Sequence, residues 1–215
     1  MTIAHHPPDE LLVAFAAGKL DEAEHLVVGV HVSHCPVCRR LIRAVEAIGG
    51  AAVESADPVA MRAASFDQVI RKIEQPAPEA SAPRSLDHDI DYDGLPEVLR
   101  HYRIGRRRRV APGVSLRPIE LSRNGKSRAF LLKSGPGTRM LEHTHSGIEL
   151  TCVLKGSFSH ESGRFGPGDF DYGDETLDHQ PIVGDEEPCV CLVAMTGKLR
   201  MNGFFGRLIS PFVRV

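Results

Sequence analysis

The sequence lacks the features that typify membrane, secreted and nucleic-acid-binding proteins. None of its hydrophobic runs approaches the roughly 20 apolar residues that cross a bilayer. Its first ten residues have neither a basic start nor an apolar run, so we expect no secretory signal and a cytoplasmic location. The formal net charge is −2, which argues against direct nucleic-acid binding. We interpret the one arginine run, at 106–109, as a solvated surface.

Cysteine is scarce, and its pattern argues against a disulfide framework. The 215 residues contain five cysteines, an odd number, at Cys35, Cys38, Cys152, Cys189 and Cys191. In a reducing compartment, the Cys-x2-Cys spacing of the first two favours metal ligands over a disulfide.

The first candidate metal site is the run H-V-S-H-C-P-V-C, a His-x3-Cys-x2-Cys cluster between two predicted helices. His31 and Cys35 are four residues apart and so share one helix face, and Cys38 follows across a turn. Imidazole and thiolate are the ligands that zinc prefers. A fourth ligand must come from elsewhere, and the pair His5-His6 is the obvious source.

The chain divides by composition into a helical part and a β part. Residues 75–91 are rich in proline, alanine and acids, which is typical of a linker. Before it, the pattern predicts helices at 9–17, 21–34 and 36–48, the last ending at a Gly-Gly pair, and a fourth helix opened by a capping box from Ser65 to Gln68. We therefore predict a helical domain at 1–74, a linker at 75–91 and a β domain at 92–215.

The fourth helix carries an apolar stripe with two possible roles. Its members recur at helical spacing, and they are Phe66, Val69, Ile70 and Ile73. The stripe either closes the core of the small helical domain or binds a partner. The proline-rich linker that follows favours a partner.

The β part is predicted to form a sandwich or barrel. Strand-like runs lie at 114–121, 128–132, 149–154 and 190–194, and Gly-Pro and Ser-Gly turns separate them. Cys189 and Cys191 alternate to one face of the last strand, where they serve either as small buried hydrophobes or as a redox pair.

A second candidate metal site lies in this part. The spacing from Gly137 through His143, His145 and Glu149 to Gly156 matches the first motif of the cupin superfamily. A strand projects residues two apart to one face, so both imidazoles and the carboxylate can converge inside a barrel. Such donors suit zinc, iron or manganese.

A weaker second cupin motif follows. It resembles G-x5-P-x-G-x2-H-x3-N, with Gly168 at the start and His179 as its histidine, although Asp174 and Thr176 replace the usual proline and glycine. His179 then completes a ligand set of three histidines and one glutamate. We interpret the other histidines of the β part, including His160, as ordinary residues.

A helical zinc cluster, a linker and a cupin together resemble the ChrR-type zinc-binding anti-sigma factors over nearly the whole chain. The resemblance implies a multidomain fold, α then β, with a small N-terminal helical bundle and a C-terminal cupin, a jelly-roll β-barrel. It implies His6 as the fourth zinc ligand beside His31, Cys35 and Cys38. The late Cys189-x-Cys191 pair also matches that family.

The resemblance implies a regulator rather than an enzyme. The helical domain would bind an extracytoplasmic-function sigma factor and block its access to RNA polymerase, with the fourth helix packing on the partner. The cupin domain would be dispensable for inhibition but needed for release when singlet oxygen or organic hydroperoxide appears.

Two alternatives stay open at this point. Three histidines and a glutamate around iron also suit a cupin dioxygenase with an accessory zinc-binding domain. The second alternative is a metal-dependent binding module that does not bind a sigma factor. In such a module the stripe would merely be part of the core.

Overall fold

The computed structural model of the protein describes residues 3–75, 94–122, 125–176, 179–197 and 199–201. The predicted linker at 75–91 lies almost wholly outside these ranges. The predicted domain limits at 74 and 92 therefore stay predictions.

The N-terminal part is helical, as predicted. Its helices are α1 (Asp9–Ala16), α2 (Glu22–His34), α3 (Pro36–Glu54) and α4 (Ser65–Glu74). The capping box that opens α2 is confirmed, because Asp21 accepts a hydrogen bond from the Glu24 amide and Glu24 accepts one from the Asp21 amide. Among the helices of the described ranges, none is long and apolar enough to span a membrane.

Two helix boundaries differ from the prediction. α3 continues through Gly49 and Gly50 to Glu54, because a helical glycine costs only about 1 kcal/mol relative to alanine and the alanines that follow sustain the helix. The capping box predicted for α4 is also wrong. Its N-cap residue is Ala64, which has a left-handed φ of 66° and makes no side-chain cap.

The C-terminal part is an antiparallel β structure. After a 3-10 helix (Glu97–His101), its strands are β1 (Arg103–Ile104), β2 (Arg108–Ala111), β3 (Val114–Glu120), β4 (Arg128–Ser134), β5 (His143–His145), β6 (Glu149–Lys155), β7 (Phe158–His160), β8 (Gly163–Phe165), β9 (Phe170–Gly173), β10 (Ile182–Val183), β11 (Cys189–Met195) and β12 (Leu199–Met201). The four predicted strands are confirmed, each within about two residues at its ends.

The strands form three sheets that enclose a cavity. The large sheet has the order β1-β3-β4-β11-β6-β9, with β2 also paired to β3. A three-stranded sheet has the order β10-β7-β8, and β12 pairs with β5. All of these pairings are antiparallel. This arrangement is the cupin barrel that the sequence predicts.

The large sheet joins the helices to the barrel, because its outer face packs on α2 and its inner face lines the cavity. Every residue of its central strand β11 is buried. Leu192 and Ala194 belong to the same apolar cluster as Val30 of α2, whereas Cys191 and Val193 belong to the cluster inside the barrel. Because side chains alternate along a strand, one face of the sheet packs on α2 and the other lines the cavity.

Polar contacts reinforce this packing at the start of α2. The Asp21 carboxylate that caps α2 also accepts hydrogen bonds from the backbone amide and the hydroxyl of Ser127. The Glu22 side chain accepts a hydrogen bond of 3.0 Å from the Ser122 amide. The N-terminal end of α2 is therefore fixed to the barrel by the acids that begin the helix.

Gly156 is predicted to be essential for the barrel. Its φ is +70°, and a Cβ there would lie 2.5 Å from the carbonyl oxygen of Pro188. We expect Gly156→Ala to lower the free energy of unfolding by at least about 1–2 kcal/mol, the cost of the left-handed conformation before any clash.

The matched control is Gly49→Ala in α3, where a Cβ meets nothing within 4 Å. We expect it to raise stability by roughly 0.5–1 kcal/mol. Urea denaturation of both variants measures the change in the free energy of unfolding. Equal changes would contradict the predicted role of Gly156.

Candidate metal centres

The first centre lies where the N-terminal segment meets the junction of α2 and α3. His31 is in the last turn of α2, Cys35 is the residue between the helices, and Cys38 is in the first turn of α3. Their donor atoms and that of His6 all lie within 4.8 Å of one another. The fold therefore brings together the four residues that the sequence identified. Their role as zinc ligands stays a proposal.

The distances in this cluster fit a common ion. His31 Nε2 is 3.3 Å from Cys38 Sγ, and His6 Nδ1 is 3.3 Å from Cys35 Sγ and 3.5 Å from Cys38 Sγ. Two sulfur and two nitrogen donors make the set that a tetrahedral zinc site uses. His5 is not part of it, because its Nε2 contacts the Arg164 carbonyl oxygen at 3.1 Å.

The protonation states of the cluster also suit a cation. Burial is the main cause that lowers the pKa of His31 to about 4, so its imidazole is neutral and able to bind a metal. Burial, followed by the neighbouring Cys35 thiol, raises the pKa of Cys38 to about 12. A buried thiolate pair therefore needs a positive charge beside it, which a divalent ion supplies.

A residue of the barrel orients one of these ligands. His31 Nδ1 donates a hydrogen bond of 2.8 Å to the carbonyl oxygen of Gly168, since that oxygen can only accept. This bond places the imidazole proton on Nδ1 and directs the Nε2 lone pair toward Cys38. Sequence reasoning missed this contact because the two residues are 137 positions apart.

The second centre lies inside the barrel. His143 begins β5, Glu149 begins β6, and His179 pairs with His143 through two backbone hydrogen bonds of 3.2 Å. The donor atoms of these three side chains lie within 4.8 Å of one another, and the two Nε2 atoms are 3.1 Å apart. The backbone of His145 is in β5, but its side chain lies outside the described part of the structure.

The environment of this centre is buried and acidic. His143 Nδ1 donates a hydrogen bond of 2.7 Å to the Leu141 carbonyl oxygen, which directs Nε2 toward His179. Burial, followed by the negative charge of Asp171, raises the pKa of Glu149 to about 7, although a hydrogen bond from Thr151 acts in the opposite direction. Two imidazoles and a carboxylate in this arrangement fit a transition-metal ion.

Sequence reasoning also missed a second group of donors in the barrel. His160 of β7 and Asp171 of β9 approach His179, and the donor atoms of all three lie within 4.8 Å of one another. His160 Nε2 is 3.1 Å from Asp171 Oδ2. The sequence interpretation treats His160 as an ordinary residue, whereas the structure places it in this group of donors. The available signal was the acidic side chain of Asp171 in a strand whose neighbours are apolar and aromatic.

A cavity of about 500 Å³ connects the second centre with the predicted redox pair. His143, Glu149 and His179 line it, and so do Cys189 and Cys191, whose Sγ atoms are 3.6 Å apart. The hydrogen bond with Cys189, followed by burial, raises the pKa of Cys191 well above its ordinary value. A neutral thiol is a poor nucleophile, so the redox role stays a prediction.

The apolar stripe of α4 faces outward. No residue of α4 is buried, and the exposed fractions are 68% for Phe66, 54% for Val69, 37% for Ile70 and 72% for Ile73. In the described part of the chain, the stripe therefore does not close the core of a helical bundle. The interpretation as core is therefore wrong, and the role of the stripe as a partner surface stays a prediction.

Known proteins match both halves of the chain. The model of the ChrR cupin-like domain family matches residues 106–199, and a zinc-finger family model matches residues 9–39. The anti-sigma-E factor ChrR of Cereibacter sphaeroides is 40% identical over 220 aligned residues, which cover 100% of both chains.

A solved structure matches as well. The crystal structure of Rhodobacter sphaeroides SigE in complex with the anti-sigma ChrR aligns with 90% of this chain and 99% of that chain, at 34% sequence identity and a TM-score of 0.75. These matches favour a regulator over the dioxygenase alternative. The chain belongs to the ChrR family of anti-sigma factors, and it is a regulator rather than an enzyme.

Proposed function

We propose that this protein binds an extracytoplasmic-function sigma factor through its zinc-containing helical domain and blocks the binding of that factor to RNA polymerase. The observation that carries the proposal is the full-length match to ChrR together with the solved complex of ChrR with SigE. The cupin domain, in this proposal, senses singlet oxygen or organic hydroperoxide and triggers release of the sigma factor.

The apolar stripe of α4 supports the partner assignment. Its four side chains occupy one face of a helix that has no buried residue. Further exposed apolar side chains lie on α3 and between α3 and α4, and they include Ile48, Val53, Val59 and Met61. An amphipathic helix with an uncovered apolar face typically binds in a groove of a partner protein.

Zinc at the first centre would fix the geometry of this surface. The cluster joins the N-terminal segment, the end of α2 and the start of α3, so one ion would hold three pieces of chain together. Binding energy of this kind acts as folding energy in small metal domains. We therefore assign zinc to His6, His31, Cys35 and Cys38.

The second centre is the proposed sensor. We assign an ion of zinc, iron or manganese to His143, His145, Glu149 and His179, which follow the cupin motifs. The cavity beside it offers space for a small apolar oxidant, and the Cys189–Cys191 pair lines the same cavity. Modification of the ion or of these thiols would be the sensing event.

The segment from Gly168 to Asp171 would carry the signal between the two centres. Gly168 accepts the hydrogen bond from His31, and Asp169 Oδ1 accepts from the amides of Ala4 and His5 at 2.7 and 3.0 Å. Asp171, two residues later, lines the cavity. A change at the cavity wall would thus reach the residue that orients His31 and the segment that carries His6.

Loss of a zinc thiolate should abolish partner binding. We expect Cys38→Ala to lower the zinc content by one ion per chain and to prevent co-purification with the sigma factor, because two helix ends lose their common ligand. Metal analysis and size-exclusion chromatography measure both effects.

Cys152→Ala serves as the control, since this buried thiol lies outside the donor groups found in the described residues. It should keep both the zinc and the complex. An undiminished complex with the Cys38 variant would refute the assignment.

Truncation of the stripe should weaken the complex without unfolding the protein. Val69→Ala with Ile73→Ala removes five methyl or methylene groups, each worth up to about 0.8 kcal/mol when buried. We therefore expect the affinity for the sigma factor to fall at least about tenfold. Isothermal titration calorimetry measures the affinity, and the melting temperature should stay unchanged because both side chains are exposed.

Gln68→Ala, on the same helix but outside the stripe, is the control and should bind normally. Normal affinity of the double variant would show that the stripe is not part of the interface.

The proposed signal path predicts a separation of repression from response. We expect Asp169→Ala to keep the zinc content and repression but to reduce induction by singlet oxygen, because the barrel no longer holds the N-terminal segment. A sigma-dependent reporter measures both states. Asp174→Asn, in an exposed turn of the barrel, should leave induction intact, and full induction of the Asp169 variant would exclude this path.

A further inference from the structure

The cavity of the barrel opens to solvent beside Met140. Among the described residues that line the cavity, those exposed to solvent include Ala111, Pro112, Arg139 and Leu141. Met140 stands between the last two in the chain, is half-buried and also lines the cavity. The side chain of Met140 therefore belongs to the mouth of the cavity, where it meets a molecule that enters.

The interior of the cavity favours apolar molecules. Aliphatic and aromatic side chains make up most of the described lining, and they include Leu116, Phe130, Leu132, Phe158 and Val193. Transfer of apolar surface from water into such an environment is favourable. With a volume of about 500 Å³, the cavity can hold a small organic molecule. An organic hydroperoxide is therefore concentrated here more strongly than hydrogen peroxide, which has no apolar surface to bury.

The sulfur of Met140 is an oxidisable group at the wall of this cavity. The Ser134 hydroxyl also lines the cavity, and its oxygen lies 3.9 Å from Met140 Sδ. A thioether reacts with peroxides without first losing a proton. A thiol reacts as its thiolate, and the hydrogen bond with Cys189, followed by burial, raises the pKa of Cys191 well above its ordinary value. Met140 is therefore a more readily available nucleophile than the Cys191 thiol.

The backbone around Met140 connects it to two residues of the second centre. The Met140 amide donates a hydrogen bond of 2.9 Å to the carbonyl oxygen of Pro181, two residues after His179. The carbonyl oxygen of Leu141 accepts a hydrogen bond of 2.7 Å from His143 Nδ1. A displacement of the chain at Met140 would therefore reach both His143 and His179.

We propose that Met140 is a modification site at which an organic hydroperoxide that enters the barrel transfers an oxygen atom to the thioether. The inference rests on the proposed sensor role of the barrel and names the group that the hydroperoxide modifies. Oxidation makes the side chain polar and chiral, so it no longer fits the apolar wall. The segment that carries Met140 then shifts, and the second centre shifts with it.

The transfer is a balanced two-electron reaction. The sulfur lone pair attacks the terminal oxygen of the hydroperoxide, the S–O bond forms, and the O–O bond breaks. The proton of that oxygen passes to the alkoxide oxygen, and an alcohol leaves. The sulfur is oxidised to the sulfoxide and the peroxide is reduced, so no further oxidant or reductant is needed.

Mass spectrometry of the oxidised full-length chain tests the chemical step. Met140 and Met61 lie on separate tryptic peptides, 140–155 and 44–62, and Met61, at 77% exposure, reports oxidation in bulk solvent. We expect the ratio of the Met140 rate to the Met61 rate to be at least about tenfold higher with cumene hydroperoxide than with hydrogen peroxide, because binding in the cavity replaces an encounter in water. Equal ratios for the two oxidants would overturn the proposal.

Three variants test the link to sigma-factor release in the reporter assay. Met140→Leu keeps an apolar side chain of similar volume without the sulfur, so repression should stay intact and most of the induction by cumene hydroperoxide should be lost. Met140→Gln places a polar group at the same position and should raise the reporter level without oxidant. Met195→Leu is the matched control, because it makes the same exchange in the same cavity at a side chain that is only 1% exposed, and it should respond as the unchanged chain does.

The outcomes separate this inference from the proposed function. If Met140→Leu is induced fully by cumene hydroperoxide, or if a Cys189–Cys191 disulfide forms while Met140 stays unmodified, Met140 is not the trigger and the sensor role of the barrel stands. If the unchanged chain is not induced by the hydroperoxide at all, hydroperoxide sensing and the role of Met140 are both excluded.

Discussion

The hydrogen bond between His31 and Gly168 is the contact on which the rest of this structure depends. It sets the tautomer of a buried imidazole and joins the end of α2 to a turn of the barrel. Gly168 has a φ of +88°, and a Cβ there would lie 2.8 Å from Ile3 Cδ1, so the N-terminal segment also packs against this turn. The helices supply most of the histidines and cysteines of the cluster, and the barrel and the N-terminal segment hold them in position.

The large sheet also contributes to both parts of the protein. An antiparallel sheet often leaves one face in water, but one face of this sheet packs on α2 and the other lines the cavity of the barrel. The helical part therefore does not rely on its own small core. Leu12, Leu26 and Val30 belong to a single apolar cluster with Leu150 and Leu192 of the barrel. The barrel and the proposed zinc ion would be two separate sources of order for the same helices.

The sequence predicts what depends on neighbouring residues and misses what depends on distant ones. The cluster at His31–Cys38, the capping box at Asp21 and four of the barrel strands follow from local spacing, and each has the predicted position. The end of α3 was missed because two glycines weaken a helix without breaking it. The packing of α2 on the sheet and the approach of His160 to Asp171 join residues far apart in the chain, and no local pattern encodes them.

The length of α3 has a mechanical consequence. Nineteen residues at about 1.5 Å each make a helix about 28 Å long, and its buried residues, Cys38 and Ile42, both lie in the first half. The second half is mostly exposed along its length. Its sides are therefore available for contact with another molecule, whereas the first half is held by the packing of the helical part.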